Sequence, residues 1–348
     1  MDCGLIGRLG VGKTTLFQAL TAHKVPVTPG AMKPNMGIAD IPDVRLGRIA
    51  EFVPTQKVIP ATVRVVDIPG VPGGGDTLGQ VLAHIRTVDA LAHVVRCWDD
   101  PGLGPADPAS DIEAMDSELL LSDLVVVEGA LDKAARAARG QDADAKQRLA
   151  VLTKADALLQ EGEALRTADW DDAEAAALRS YGFMTAKPVL LVANVSEDDI
   201  GGGCAATSIV RDASGGTAVE LCAMIESEVA ELEAADRAEM LESMGLAQPA
   251  VGALAAGMNN VLGLSTFYTA GDKEVRAWVI PVDCPAPEAA GVIHSDIQRG
   301  FIRAECFACN ELFEFGSEKS IKEAGRLRSE GKGYAMQDGD VVHFLFNV

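Results

Sequence analysis

At 348 residues the chain exceeds the usual length of one domain, so two or three are expected. Hydrophobic content of 48% and charged content of 23% are those of an ordinary soluble globular protein. A net charge of −21 argues against an extended nucleic-acid-binding surface, and no segment approaches the ~20 apolar residues of a membrane span. A glycine motif beginning at residue 7 leaves no room for a secretory leader, so the cytoplasm is the expected location. Seven cysteines are scattered, and Cys306-Phe-Ala-Cys309 is a lone pair without a second pair at zinc spacing. In a strand its two thiols would face opposite ways, as buried free thiols.

Cys3 to Ile6 is a short apolar run. Gly7-Arg8-Leu9-Gly10-Val11-Gly12-Lys13-Thr14 follows and fits G-x-x-x-x-G-K-[ST] at every fixed position. Thr15 to Leu20 then reads as a helix with Leu16, Phe17 and Leu20 on one face. In such a strand–loop–helix unit the amides around Gly7, Gly10, Val11, Gly12 and Thr15 converge on one point suited to an anion. Lys13 would reach the terminal phosphates and stabilise their charge, and the Thr14 hydroxyl would ligate Mg²⁺.

Pro26 to Asp43 reads as a loop. Ala61 to Val66 alternates and then turns apolar, a strand ending at Asp67-Ile68-Pro69-Gly70. Gly73 to Gly75, a helix from about Gly79 to Val88, a buried strand Ala90 to Arg96 and a loop Pro101 to Pro108 come next. Asp111 to Arg139 and Ala143 to Leu165 carry apolar residues at helical spacing and are separated by Gly140-Gln141-Asp142. They predict an antiparallel helical hairpin, structural or partner-binding. Pro188 to Ala193 is a buried parallel strand, Ala218 to Ala223 a further strand, and Ile225 to Met244 an acidic helix. The alternation predicts a doubly wound α/β fold with the hairpin inserted. From Ser265 short strands dominate, at Val275 to Ile280, Phe301 to Phe307 and Val341 to Phe346, with Ser320 to Glu330 helical, giving a small α+β module. The expected divisions are 1–110 and 181–264 for the P-loop domain, 111–180 for the hairpin and 265–348 for the module.

Asp67-x-x-Gly70 lies at a strand end downstream of the P-loop. There an acidic residue holds Mg²⁺, commonly through water, and the Gly70 N–H can sense a γ-phosphate. Val71 stands where Ras-type enzymes place a water-orienting Gln, so hydrolysis must use another group or be slow. For the base, Thr153-Lys154-Ala155-Asp156 falls inside helical periodicity and reads as helix surface. Asn194-Val195-Ser196-Glu197 follows a convincing strand. It lacks the Lys of N-K-x-D and carries Glu for Asp, which favours adenine over guanine.

These residues resemble the YchF / Obg-like ATPase family, P-loop proteins of the translation-factor class with a helical insertion and a C-terminal TGS domain. Leu91-Ala92-His93-Val94-Val95-Arg96-Cys97 resembles its strand after switch II, and Cys222-Ala223 its base-side loop. The C-terminal strings Phe267-Tyr268-Thr269-Ala270-Gly271, Gly291-Val292-Ile293-His294-Ser295-Asp296 and Gln337-Asp338-Gly339-Asp340-Val341 are the most specific. The resemblance implies a β-grasp TGS fold, ATP as ligand with GTP second, Mg²⁺, and association with ribosomes or translation-associated protein or RNA. His294 reads as a loop hydrogen-bonder.

The departures bear on hydrolysis. Family members carry an Asn, resembling a K⁺ ligand, where this chain has Gly10, which puts potassium activation in doubt. The switch I Thr falls on Ala31, with Thr28 near but out of register. The loop Trp98 to Ser110 lacks the family's His, which leaves His84 on the preceding helix as a candidate or as a surface residue. The expectation is a slow ATPase acting as a nucleotide-gated switch. A GTPase and a non-hydrolysing nucleotide-binding protein are the alternatives.

Overall fold

The computed structural model describes residues 1–28, 32–70, 77–140 and 142–347. Ala31, Val71, Gly73 to Gly75 and Gln141, singled out above, lie outside the described residues, as do parts of both switch loops. In chain order the elements are β1 (Asp2–Ile6), α1 (Lys13–Leu20), β2 (Asn35–Ile41), α2 (Val44–Phe52), β3 (Val58–Ile59), β4 (Ala61–Asp67), α3 (Leu78–Thr87) and β5 (Ala90–Arg96). Next come α4 (Pro108–Ala137), α5 (Ala143–Gln160), α6 (Asp172–Arg179), β6 (Val189–Asn194), α7 (Ala205–Ala213), β7 (Val219–Leu221), α8 (Ala223–Glu231), α9 (Ala234–Ser243) and α10 (Ala250–Val261). The remainder is β8 (Leu264–Ala270), β9 (Val275–Pro281), α11 (Ala286–Ile293), α12 (Ser295–Arg299), β10 (Phe301–Ala308), α13 (Cys309–Phe315), α14 (Glu318–Glu323), β11 (Arg328–Glu330) and β12 (Asp340–Phe346).

The first sheet has the order β2-β4-β1-β5-β6-β7. β1 pairs in parallel with β4 on one side and β5 on the other, which makes it the central strand. All seven residues of β5 are buried, as a parallel strand covered on both faces requires. Ile68, Val81, Ile85, Met115 and Leu119 fill one face, and Val95, Leu191, Val210, Ile225 and Val229 the other. α4 starts earlier than its periodicity suggests, because Pro108 suits the first turn and the Asp107 carboxylate accepts from Ser110 N. Its far half joins α5 around Val127, Ala134, Leu152, Ala155 and Leu159, forming the expected hairpin. Thr153 to Asp156 lie within α5, where Thr153 bonds back to Leu149 O and Lys154 covers the Trp170 ring.

The chain divides into two compact units, residues 1–37 with 64–254, and residues 38–63 with 255–348. Segment 38–63 therefore clusters with the C-terminal residues rather than with the P-loop. α2 lays Phe52 and Arg48 on the Phe313 ring, and β3 pairs with β9. In this second unit β8 and β9 form an antiparallel hairpin, β12 runs parallel to β8, and β10 antiparallel to β12. That is a β-grasp order, with Phe267, Phe301, Phe344 and Ala289 in its core.

Several elements differ from the sequence reading. Pro26 to Asp43 is not all loop, because β2 begins at Asn35. The helix read over 225–244 is two, broken at Leu232 and Glu233, where Arg237 ties its guanidinium to Val229 O and Leu232 O. Ser320 to Glu330 is helical only to Glu323 and ends as β11. Cys306 is in β10 but Cys309 opens α13, so the pair does not share a strand; both thiols are buried and free. Among the described residues no helix is long and apolar enough to cross a membrane.

Candidate functional site

The first βα turn wraps a cavity of about 370 Å³. Its described lining includes Gly10, Val11, Gly12, Lys13, Thr14 and Thr15 from the loop and α1, and Asp67, Pro69 and Gly70 from the end of β4. Leu9 of the loop lines it too, as do Thr28, which the sequence placed near but out of register, and Val27, Met32, Lys33 and Asn35, which it did not assign to the site. The signal for this segment was the switch I resemblance around Thr28 and Ala31.

The glycines are there for space and backbone. Gly12 has φ +90°, and a Cβ on it would lie 2.4 Å from Asn194 Nδ2. A Cβ on Gly7 would meet Val94 O at 2.5 Å, so this glycine lets the loop rest on β5. A Cβ on Gly10, φ +80°, would meet Leu103 Cδ1 at 2.6 Å. Leu103 therefore stands where an Asn at position 10 would project. Arg96 shapes the loop that carries Leu103 by donating to the carbonyls of Trp98, Gly104 and Pro105.

Lys13 is buried and donates to Gly7 O at 2.9 Å and Arg8 O at 2.7 Å. An ammonium has three donors, so one remains for a phosphate oxygen. Burial lowers its pKa to about 8, against the raising influence of Asp67. A phosphate beside it would restore the full charge. The Thr14 hydroxyl donates to Asp67 Oδ2 at 3.0 Å. This all-oxygen set suits a hard divalent cation, and a buried carboxylate opposite a buried lysine leaves room for one more positive charge once phosphates enter. Thr14 and Asp67 are thus the residues that would hold Mg²⁺.

Asn194 is buried at the end of β6 and acts as a strut. Its Nδ2 donates to Val11 O at 2.9 Å, and its Oδ1 accepts from Ala223 N at 2.8 Å. One amide thus fixes the phosphate loop to the start of α8. Glu197 is exposed at the head of a short 3-10 turn, with its carboxylate free among the described residues. Val195 is buried in the core, bonded through N to Leu221 O, and Cys222 is the buried residue preceding α8. These two can offer a ligand little beyond backbone. His84 is not brought to the cavity; it sits in the last turn of α3, its carbonyl accepting from Thr87. Thr28, out of register by sequence, does line the cavity.

His93 lies on β5 under the loop, fully buried, with Nε2 lacking a hydrogen-bond partner among the described residues. Burial pushes its pKa down to about 4; Asp116 opposes this while Lys13 and Arg166 add to it. A folded pKa below the unfolded value of about 6.5 means the unfolded chain takes up the proton first. Stability should therefore fall as pH drops from about 6.5 toward 4, by about 3 kcal/mol in all. Urea titrations between pH 7 and pH 4 should show this slope, and His93→Leu should flatten it.

Two family models match the chain. One, described as 50S ribosome-binding GTPase, covers residues 2–129, and the other, the YchF-GTPase C-terminal family of unknown function, covers residues 264–347. The ribosome-binding ATPase YchF of Pasteurella multocida is 40% identical over 359 residues, 99% of each chain. That of Bacillus subtilis is 38% identical over 364 residues, all of each chain. The Schizosaccharomyces pombe YchF GTPase structure superposes with a TM-score of 0.86 at 27% identity, over 99% of this chain and 97% of that one. With a strand–P-loop–helix opening, an acidic corner at Asp67 and such identity from end to end, the chain belongs to the YchF family.

Proposed function

We propose that the chain is a magnesium-dependent ATP-binding switch that hydrolyses ATP slowly and works on the ribosome in the cytoplasm. The observation that carries it is the corner made by Lys13, Thr14 and Asp67 at the mouth of the glycine loop. Lys13 and the loop amides would hold the β- and γ-phosphates, and Thr14 and Asp67 would hold the metal. Mg²⁺, when bound, would supply neutralising charge to the phosphates. Catalysis is then positioning plus charge stabilisation, with water attacking the γ-phosphate. The described lining of the cavity holds neither His nor Gln, which supports a slow rate. Gly10 has no side-chain oxygen and Leu103 fills its side-chain space, so potassium activation is not part of the proposal.

The adenine assignment rests on Glu197, exposed three residues after the Asn194 strut. Its carboxylate is one methylene longer than an Asp and is displaced from the N1–H and 2-amino pair that guanine presents. The relatives named as ribosome-binding ATPases agree with this reading, and the name of the fission-yeast structure does not. Ribosome association is inferred from those relatives, and a TGS role for the C-terminal unit from its β-grasp strand order and the strings that resemble that domain. In competition against a fluorescent nucleotide with Mg²⁺, ATP should displace the probe at about tenfold lower concentration than GTP, a difference of 1.4 kcal/mol. A preference for GTP would overturn the adenine assignment and make the chain a GTPase.

A further inference from the structure

Asp67 is held by two donors at one oxygen. Oδ2 accepts from the Thr14 hydroxyl at 3.0 Å and from the Asn35 side-chain amide at 3.0 Å. A carboxylate only accepts, so the Asn35 end that meets it is the NH₂ group. Among the described residues nothing else donates to the Asp67 carboxylate, so Oδ1 is the oxygen that would accept from a water on a bound metal. Asn35 is the first residue of β2, and the segment just before it contributes Val27, Thr28, Met32 and Lys33 to the same cavity.

We infer that Asn35 is a positioning residue for the metal, resting on the magnesium-nucleotide reading above. By fixing Oδ2 it sets the direction of Oδ1, and it ties that direction to the register of β2. β2 and the metal corner then respond to each other through one amide. A shift of β2 along its neighbour, even by half a residue, breaks the bond and lets the carboxylate turn. Hydrogen-bond partners of this kind alter metal affinity by roughly 10- to 100-fold.

The test is a magnesium titration of fluorescent ATP-analogue binding, with affinity in excess EDTA measured separately. Asn35→Ala should raise the half-saturating magnesium concentration by about tenfold, while the EDTA affinity stays within about twofold. Asn35→Leu, similar in size and without a donor, repeats the measurement should Asn35→Ala fail to fold. Wild-type binding that ignores magnesium overturns the reading of the site itself. A magnesium-responsive wild type with variants that titrate identically overturns only the role of Asn35. Equal losses with and without magnesium make Asn35 a scaffold residue and overturn the proposal too.

Discussion

Lys13→Ala should reduce single-turnover γ-phosphate release to the uncatalysed background and weaken Mg-ATP binding by about 100-fold. The ammonium is the one side-chain cation that the loop holds inside itself, gripped by Gly7 O and Arg8 O. Removing one preorganised donor of developing charge typically costs about 10²–10³ in rate. The variant also leaves two loop carbonyls short of a partner, at roughly 1–3 kcal/mol. Its melting point must therefore be measured, and the kinetics run well below it. Wild-type release no faster than that of a folded Lys13→Ala would show that this site does not hydrolyse. The pH dependence has a fixed sign. With Lys13 at about 8 before binding and higher once a phosphate lies beside it, affinity should fall as pH rises above 8. Calorimetry there should register proton uptake on binding.

The half of this site that could be read from sequence is the half built from local chain geometry. Glycines at φ +80° and +90° have a compositional signature, and a lysine and threonine at fixed spacing ride on the helix that starts there. Asp67 was accessible for the same reason, as the last residue of an alternating strand. Of the other wall, Thr28 was legible by resemblance but the strand that starts at Asn35 was not, because β2 hides its character. Met36 and Ile38 point outward and are 61% and 59% exposed, while Gly37 and Ala39 take the inner positions. The apolar alternation is inverted, and Pro34 reads as a loop. Gly37 is needed there because a Cβ would meet Thr21 Cγ2 at 2.4 Å. The α8–α9 break at Leu232 and Glu233 was also hidden, since helical spacing continues on both sides of it. α2 is a third case: its partners, Phe313 and the strands of the second unit, lie hundreds of residues downstream, and no local pattern announces them.

Asp123→Ala is expected to cost about 3–5 kcal/mol. The carboxylate sits midway along α4 with no exposure. Oδ1 accepts from Arg86 Nη1 at 3.1 Å, and Oδ2 from Thr185 N at 2.7 Å and Thr185 Oγ1 at 2.9 Å. Arg86 also donates to Gly182 O and to Ser122, and Lys187 Nζ donates to Arg86 O and Val88 O. Three segments are thus joined at one buried acid: the end of α3, the middle of α4 and the run into β6. Truncation strands a guanidinium without its counter-charge and leaves the Thr185 amide unpaired. Breaking one partner of a buried pair costs more than deleting both. Arg86→Met with Asp123→Leu should therefore be less damaging than the sum of the single variants, with a coupling above about 1.5 kcal/mol. With two units present, urea unfolding should show the loss in one transition only. A single-variant loss below about 1 kcal/mol would mean the network is hydrated and holds nothing. α3 is the helix that follows the Asp67–Gly70 corner, and α4 is the base of the helical hairpin. If the full loss is measured, α3 cannot shift without carrying the base of the hairpin with it or breaking this pair.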